Sequence, residues 1–278
     1  MKIINGNAAL RSLIPNTLAT VPGEPTWYEK MYPYLAEAET WLQDNISGEK
    51  VLADMEKVQD NNPLKVSLAK IIVCHALMNA IPSLDVVLTP NGFGIVNTSN
   101  IAPASRDRVE RLIANIERER DMNIDAALRR LPACNGWTTT TQGLFFGATL
   151  FPDLQICNKL AIRDQKWENY LRLREKIIKI ENVLAETYFS QEQMAVFRMM
   201  VIKQESCHPL KAQVIRSLRS YVTMLASDME VHNQSFYDLV NIIRENESMF
   251  PEWHASETAR LYSPAIYLNK KESTGYWF

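Results

Sequence analysis

Residues 63–81 read PLKVSLAKIIVCHALMNAI, and this stretch decides the expected fold class. Asn62 is a suitable helix cap and Pro63 fits the first helical position, so a helix is predicted to begin here. Apolar side chains fall on nearly every side of that helix instead of along one stripe. Because such a helix must be covered all round, we expect it in the centre of a mainly α domain.

The same segment bears on membrane insertion. Its most apolar part, residues 71–81, is about eleven residues long and contains His75 and Asn79. A bilayer span needs about 20 apolar residues, so no membrane contact is expected.

Helix start signals occur on both sides of this central segment. Thr26 with Glu29 forms a capping box, and Ser190 with Gln193 forms another. Ser105 is expected to cap a long helix that ends near Arg130. Further helices are predicted at about 163–188, 190–203, from Pro209, and from Asn233, and their short connections favour a bundle.

One segment has a β pattern instead. Residues 85–89 and 93–96 are rich in β-branched side chains and flank Pro90-Asn91-Gly92. Two such runs joined by a turn of this composition predict a β-hairpin over residues 85–97, because glycine accepts the positive φ of the turn.

Both ends of the chain are predicted to be extended arms. Prolines and a glycine punctuate residues 15–25, and aromatic residues crowd the segment after Pro251. The expected class is therefore mainly α: helical bundles with one inserted β-hairpin and extended N- and C-terminal arms. The expected domains are an N-terminal arm (1–26), a helical domain with the hairpin (27–134), a helical bundle (135–250) and a C-terminal arm (251–278). No internal repeat is visible in the sequence.

Composition limits the possible functions. The 278 residues carry 30 Lys+Arg and 32 Asp+Glu, for a net charge of −2, so no strong nucleic-acid binding is expected. The four cysteines lie far apart with no C-x-x-C pair, which favours reduced thiols in a cytoplasmic protein. The first residues do not resemble a secretory signal.

Motifs that carry chemistry are present only as short, isolated patterns. They are Glu205-x-x-His208, the acidic and histidine residues at 228–232, Ser67-x-x-Lys70, and the Cys-His neighbours at 74–75 and 207–208. The additional elements that a di-iron site or a penicillin-recognising enzyme would need are missing. We therefore predict no catalytic residue, no metal ligand and no cofactor, and interpret these residues as packing and helix-end groups.

The helix over residues 105–130 carries seven arginines and six acidic residues. Interleaved opposite charges favour a solvated, ion-paired face, and a protein-contact face is the next interpretation.

Residues 85–114, DVVLTPNGFGIVNTSNIAPASRDRVERLIA, carry a resemblance. They are similar to a family of uncharacterised proteins from phages and prophages of gut bacteria, whose shared segment is V-L-T-x-x-G-F-G-V-V followed by A-P-A-S-x-x-R-V-E. In size and helical character such proteins resemble the connectors between phage head and tail. The resemblance implies a virion structural protein and gives no catalytic residues.

The first functional hypothesis is a non-enzymatic, prophage-encoded virion or head–tail assembly protein that acts through protein–protein contacts. Its partners would be other virion subunits or copies of itself in a homo-oligomer, in the cytoplasm or within a virion. The candidate contact residues are Pro90, Asn91, Gly92, Phe93 and Gly94, then Arg108, and finally Tyr276, Trp277 and Phe278. The alternative is a monomeric helical binding or regulatory protein with the hairpin as its recognition edge.

Overall fold

The computed structural model describes residues 3–14, 25–84, 86–89, 92–95 and 105–263; for residues 84–95 only the backbone is described. The chain divides into two compact units. The first comprises Met1–Glu175 with Met199–Glu205, and the second comprises Lys176–Arg198 with Ser206–Phe278. This division falls at residue 176, whereas the predicted domain boundary lies after residue 134.

The described residues are mainly helical. The helices are α1 (Gly6–Leu13), α2 (Trp27–Leu42), α3 (Glu49–Glu56), α4 (Pro63–Leu84), α5 (Arg106–Leu128), α6 (Thr141–Gly147), α7 (Gln155–Lys159), α8 (Lys166–Leu184), α9 (Gln191–Lys203), α10 (Pro209–Ala226), α11 (Asn233–Arg244), α12 (Pro251–His254) and α13 (Glu257–Leu261). Two π-helical turns, Gln43–Ser47 and Ala185–Phe189, extend α2 and α8.

Helix α4 is the central helix of the first unit, as predicted. It packs against α2 and α5, and Leu68, Ile71 and Ile72 are fully buried. The Asn62 side chain accepts hydrogen bonds from the backbone N–H groups of Leu64 and Lys65, at 2.9 and 3.2 Å, which confirms the predicted cap.

This helix begins at Pro63 as predicted and continues through Pro82 to Leu84, three residues beyond the predicted end at residue 81. By length and composition alone, Pro63–Ser83 could cross a membrane. However, 61% of its most apolar stretch is buried inside the protein, and a core helix passes the same test.

The β segment requires a correction to the predicted class. Val86–Thr89 and Gly92–Ile95 pair antiparallel, with Val86 opposite Ile95. Four paired positions do not form a sheet layer. The class is therefore mainly α, without a β-hairpin as an architectural component.

The predicted extended arms are also wrong for the described residues. Helix α1 lies within the predicted N-terminal arm, and Ile4 and Leu10 are buried. The punctuating prolines begin only after α1, so they do not prevent a short amphipathic helix. In the predicted C-terminal arm, α12 and α13 are helical and Trp253 is 1% exposed.

No repeat is visible in the sequence, but a similar order of elements occurs twice in the described structure. We define the first repeat as residues 27–147 and the second as residues 166–261. Each starts with a long helix, α2 or α8, that ends in a π-helical turn. Gly48 and Ser190 follow these turns with nearly the same backbone angles, φ 74° and ψ 161° against φ 61° and ψ 155°.

The next helices correspond too. The start of α4, Pro63-Leu64-Lys65, recurs at the start of α10 as Pro209-Leu210-Lys211. His208 replaces Asn62 as the cap, and its ring nitrogen Nδ1 accepts the Leu210 N–H at 3.3 Å. The principal difference is an insertion in the first repeat. Residues 85–105 join α4 to α5, whereas residues 227–232 suffice to join α10 to α11.

Candidate binding grooves

Each repeat ends with a tryptophan that fastens a short helix to the π-helical turn. The indole N–H of Trp137 donates to the carbonyl of Ile46 at 3.1 Å, and that of Trp253 donates to the carbonyl of Tyr188 at 2.9 Å. Ile46 and Tyr188 each stand two residues before the positive-φ residue. Both indoles are 1% exposed, so these bonds are shielded from water.

A hydroxyl three residues after each tryptophan sets the start of the short helix. Thr140 donates to the Trp137 carbonyl at 2.7 Å and accepts the Gly143 N–H at 3.1 Å. Ser256 repeats both bonds, to the Trp253 carbonyl at 2.6 Å and from the Ala259 N–H at 3.2 Å. These are N-caps that satisfy otherwise unpaired backbone groups of α6 and α13.

The π-helical turn and the short helix enclose a groove in each repeat. The first groove has a volume of about 150 Å³. Its lining is Asp44, Asn45, Thr141, Gln142, Phe145, Trp167 and Leu171. The last two residues belong to the first turns of α8, so a neighbouring helix forms one wall of this groove with an aromatic ring and a leucine.

Two further contacts close the first groove. The amide of Gln142 donates to the carbonyl of Asp44 at 3.0 Å, which ties α6 to the π-helical turn. The buried guanidinium of Arg174 stacks on the Phe145 ring at 3.8 Å and donates to the Phe145 carbonyl. A cation over an aromatic face is attracted by the ring quadrupole, so α8 is held against α6.

The second groove is larger, about 480 Å³, and lies entirely in the second unit. Its lining is Ala185, Glu186, Gln191, Glu192, Ser256, Glu257, Thr258 and Leu261. Glu186 corresponds to Asp44 on the π-helical turn, and Leu261 corresponds to Phe145 on the short helix. Leu261 is 75% exposed, against 40% for Phe145. Among the described residues, no later helix contributes to this lining.

The aromatic residue nine positions after each tryptophan also differs in solvent exposure between the two repeats. Phe146 is fully buried and contacts both Trp137 and Trp167. Its counterpart Tyr262 contacts Trp253, donates to the carbonyl of Thr187 at 2.7 Å, and is only partly buried. Burial raises the pKa of the Tyr262 hydroxyl to about 12, so this hydroxyl stays protonated as a donor.

The charged helix α5 is not a uniformly solvated face, which corrects the sequence interpretation. Arg120 and Asp121 are 3% and 2% exposed and pair at 2.8 Å. Arg120 also binds Glu168 of α8 at 2.8 Å, and Asp121 accepts the Trp167 N–H at 3.3 Å. Burial raises the pKa of Asp121, and the neighbouring guanidinium opposes that rise. This cluster anchors the same helix start that lines the first groove.

His75 lies beside this cluster. Its ring stacks on Trp41 with the centroids 4.2 Å apart. Burial and the nearby Arg120 lower the pKa of His75 to about 4, so the ring is neutral at neutral pH. Burial raises the pKa of the neighbouring Cys74 thiol to about 12, which makes it a poor nucleophile.

The residues predicted from sequence as contact sites are not brought together in the described structure. Arg108 is exposed on α5, and Gly92–Gly94 lie in the second strand. Pro90, Asn91, Tyr276, Trp277 and Phe278 lie outside the described residues.

Residues of the short motifs noted in the sequence make helix caps, hydrogen bonds and ion pairs within the protein. His208 and His232 cap α10 and α11 through Nδ1. Ser67 donates to the Pro63 carbonyl at 3.0 Å, while Lys70 pairs with Glu119 at 2.9 Å. Within the ranges that the structure describes, no group of three or more His, Cys, Asp or Glu residues could hold a metal ion.

Sequence reasoning missed the grooves, although a signal for them exists. The two tryptophans share a W-x-x-[ST] spacing, at Trp137 with Thr140 and at Trp253 with Ser256. In each pair, the tryptophan lies four residues and the hydroxyl residue seven residues after a short 3₁₀ turn that follows a helix. Comparison of the two segments would have indicated equivalent positions.

Comparison with known proteins yields one similarity. Residues 14–145 match the model of DUF6712, a family of unknown function. No curated protein and no solved structure matches the chain. The matched range covers nearly all of the first repeat and ends before the second begins.

Proposed function

We propose that this protein is a non-enzymatic assembly component that acts through protein–protein contacts. The observation that carries the proposal is a groove built twice from similar elements, which a further helix walls in the first repeat but not in the described part of the second. In the first repeat, Trp167 and Leu171 of α8 form that wall. A π-helical turn and short helix that pack against another helix in one repeat support the same use in the other.

The exposed surface of the second groove supports this role. Leu261 is 75% exposed, and three glutamates surround it. An exposed apolar side chain rimmed by polar residues is typical of protein-interaction sites. The charged rim would limit non-specific association and orient a partner.

Assembly of a virion, at the head–tail junction, is the specific form of this proposal. It rests on the similarity of residues 85–114 to proteins from phages and prophages of gut bacteria. Copies of this chain or other virion subunits would be the partners.

Sedimentation velocity over a range of protein concentrations tests self-assembly. We expect concentration-dependent association by the full chain, and weaker association after Leu261→Glu. Met229→Glu is the matched control, because Met229 is an exposed apolar residue of the second unit that does not line the groove. A chain that stays monomeric at every concentration would contradict self-assembly.

A monomeric binding protein is the second candidate. The open volume of about 480 Å³ favours it, since a groove of that size accommodates several side chains of a partner. A monomer in sedimentation that still binds a partner segment through this groove would support the second candidate over the first.

A further inference from the structure

We propose that the second groove binds a basic amphipathic helix of a partner protein, with an aromatic residue and a leucine four positions apart. The inference rests on the proposed action through protein–protein contacts and names the chemistry of the partner. It follows from comparing the two grooves position by position.

The first groove shows which kind of segment packs beside this construction. One wall of it is the helix start RDQKWENYLRLR, residues 163–174. Trp167 and Leu171 are four residues apart, so they share one face of α8 and line the groove together. The segment carries four basic and two acidic side chains, and is therefore basic as well as amphipathic.

The contacts around Trp167 explain why this pair of side chains is suitable. The indole packs against Phe146 at a centroid distance of 6.3 Å and against Trp41 at 5.8 Å. Aromatic pairs at such distances contribute about 0.5–1.5 kcal/mol beyond area burial. In the second groove, Leu261 and the partly exposed Tyr262 offer apolar surface at the equivalent positions.

The second groove carries more negative charge than the first, and this favours a positively charged partner. Glu186, Glu192 and Glu257 stand where the first repeat has Asp44, Lys50 and Thr141. Three carboxylates thus replace one carboxylate, one ammonium and one hydroxyl. Opposite charges across an interface speed encounter and suppress wrong partners, so this groove favours a lysine- or arginine-bearing helix.

The volume of the second groove is consistent with binding of such a helix. The second groove has about three times the volume of the first, 480 against 150 Å³. In the first groove, Trp167 and Leu171 form one wall. The described lining of the second groove includes no such wall, which leaves its larger volume accessible to a partner helix.

Fluorescence anisotropy with a labelled peptide tests the inference. The probe is a peptide of residues 163–174, titrated with the full chain at low salt. We expect saturable binding that weakens at least tenfold after Leu261→Glu, and at least threefold after Glu192→Lys. A peptide with Trp167→Ala should bind at least tenfold more weakly. Glu247→Lys is the matched control, because Glu247 is an exposed glutamate of the second unit outside the groove, and it should change affinity less than twofold.

Each other outcome has a defined meaning. Absence of binding, or equal binding by the Leu261→Glu and Glu192→Lys chains with circular dichroism unchanged, would overturn the inference. Binding that appears only after removal of residues 264–278 would assign the groove to that segment of the same chain and also overturn it. Peptide binding by a chain that sediments as a monomer would support the inference while contradicting self-assembly.

Discussion

The indole nitrogen of Trp253 lies 2.9 Å from the carbonyl oxygen of Tyr188, and this bond fixes the short helix α13 beside the π-helical turn. The equivalent bond in the first repeat joins Trp137 to Ile46 at 3.1 Å. The two bonds link segments that are far apart in sequence, so each one holds the beginning of its repeat against the end. They define the groove walls, and their removal should be measurable as lost stability.

Replacing either tryptophan by phenylalanine keeps an aromatic ring and removes the N–H donor. We expect Trp137→Phe and Trp253→Phe each to lower the free energy of unfolding by about 1–3 kcal/mol, because a buried carbonyl loses its partner. Urea denaturation measures the change. Trp27→Phe is the control, since its indole nitrogen is buried without a hydrogen-bond partner among the described residues, and it should cost less. Equal losses in all three variants would contradict the assigned role of the indole bonds.

At the positive-φ positions after the two π-helical turns, replacing glycine by serine should lower the stability, and replacing serine by glycine should raise it. Gly48→Ser places a side chain in a backbone region that suits glycine, so it should destabilise by about 1–3 kcal/mol. Ser190→Gly relieves the same strain and loses only the cap that Ser190 provides to the Gln193 N–H, a few tenths of a kcal/mol. We therefore expect a net gain in the urea midpoint for Ser190→Gly. A loss in that variant would show that the backbone is not strained.

The buried ion cluster should be sensitive to removal of one partner. Arg120→Leu leaves the carboxylate of Asp121 buried without its cation, which should cost about 3–5 kcal/mol. Adding Asp121→Asn removes the uncompensated charge and should recover a large part of that loss. Arg106→Leu, which breaks an exposed pair with Glu110, should change the denaturation curve little. Failure of the double variant to recover stability would contradict electrostatic coupling within the cluster.

Acid should weaken the first unit through His75. The folded pKa of about 4 lies below the ordinary 6.5, so the folded state binds fewer protons between these values. The free energy of unfolding should therefore fall as the pH decreases from about 6.5 to 4, by at most about 1.4 kcal/mol per pH unit from this residue. Denaturation series at several pH values should show a shallower slope for His75→Gln. Identical slopes in both proteins would exclude His75 as the source.

Local signals predicted several helix starts, because capping is decided by neighbouring residues, but the Ser105 side chain makes no cap hydrogen bond at the start of α5. The Thr26–Glu29 box and the Asn62 cap occur where the sequence places them. Burial of individual charges could not be predicted in the same way. The sequence neighbours of Arg120 and Asp121 resemble those of exposed charged residues of α5. Only the packing of these two side chains against α8 distinguishes them.

The repeat escaped detection for a related reason. Its two copies agree in hydrogen bonds and backbone angles more than in residue types, as Gly48 against Ser190 and Phe146 against Tyr262 illustrate. The insertion at residues 85–105 also shifts the register between the copies. The predicted contact residues 90–94 lie in that insertion, which has no counterpart in the second repeat.

Hydrogen–deuterium exchange of the full chain, with and without the peptide of residues 163–174, locates the contact site of the peptide. We expect slower exchange on binding in residues 185–192 and 256–261, the segments that line the second groove. Slower exchange confined to other segments, or no change at saturating peptide, would contradict the claim that this groove is the contact site.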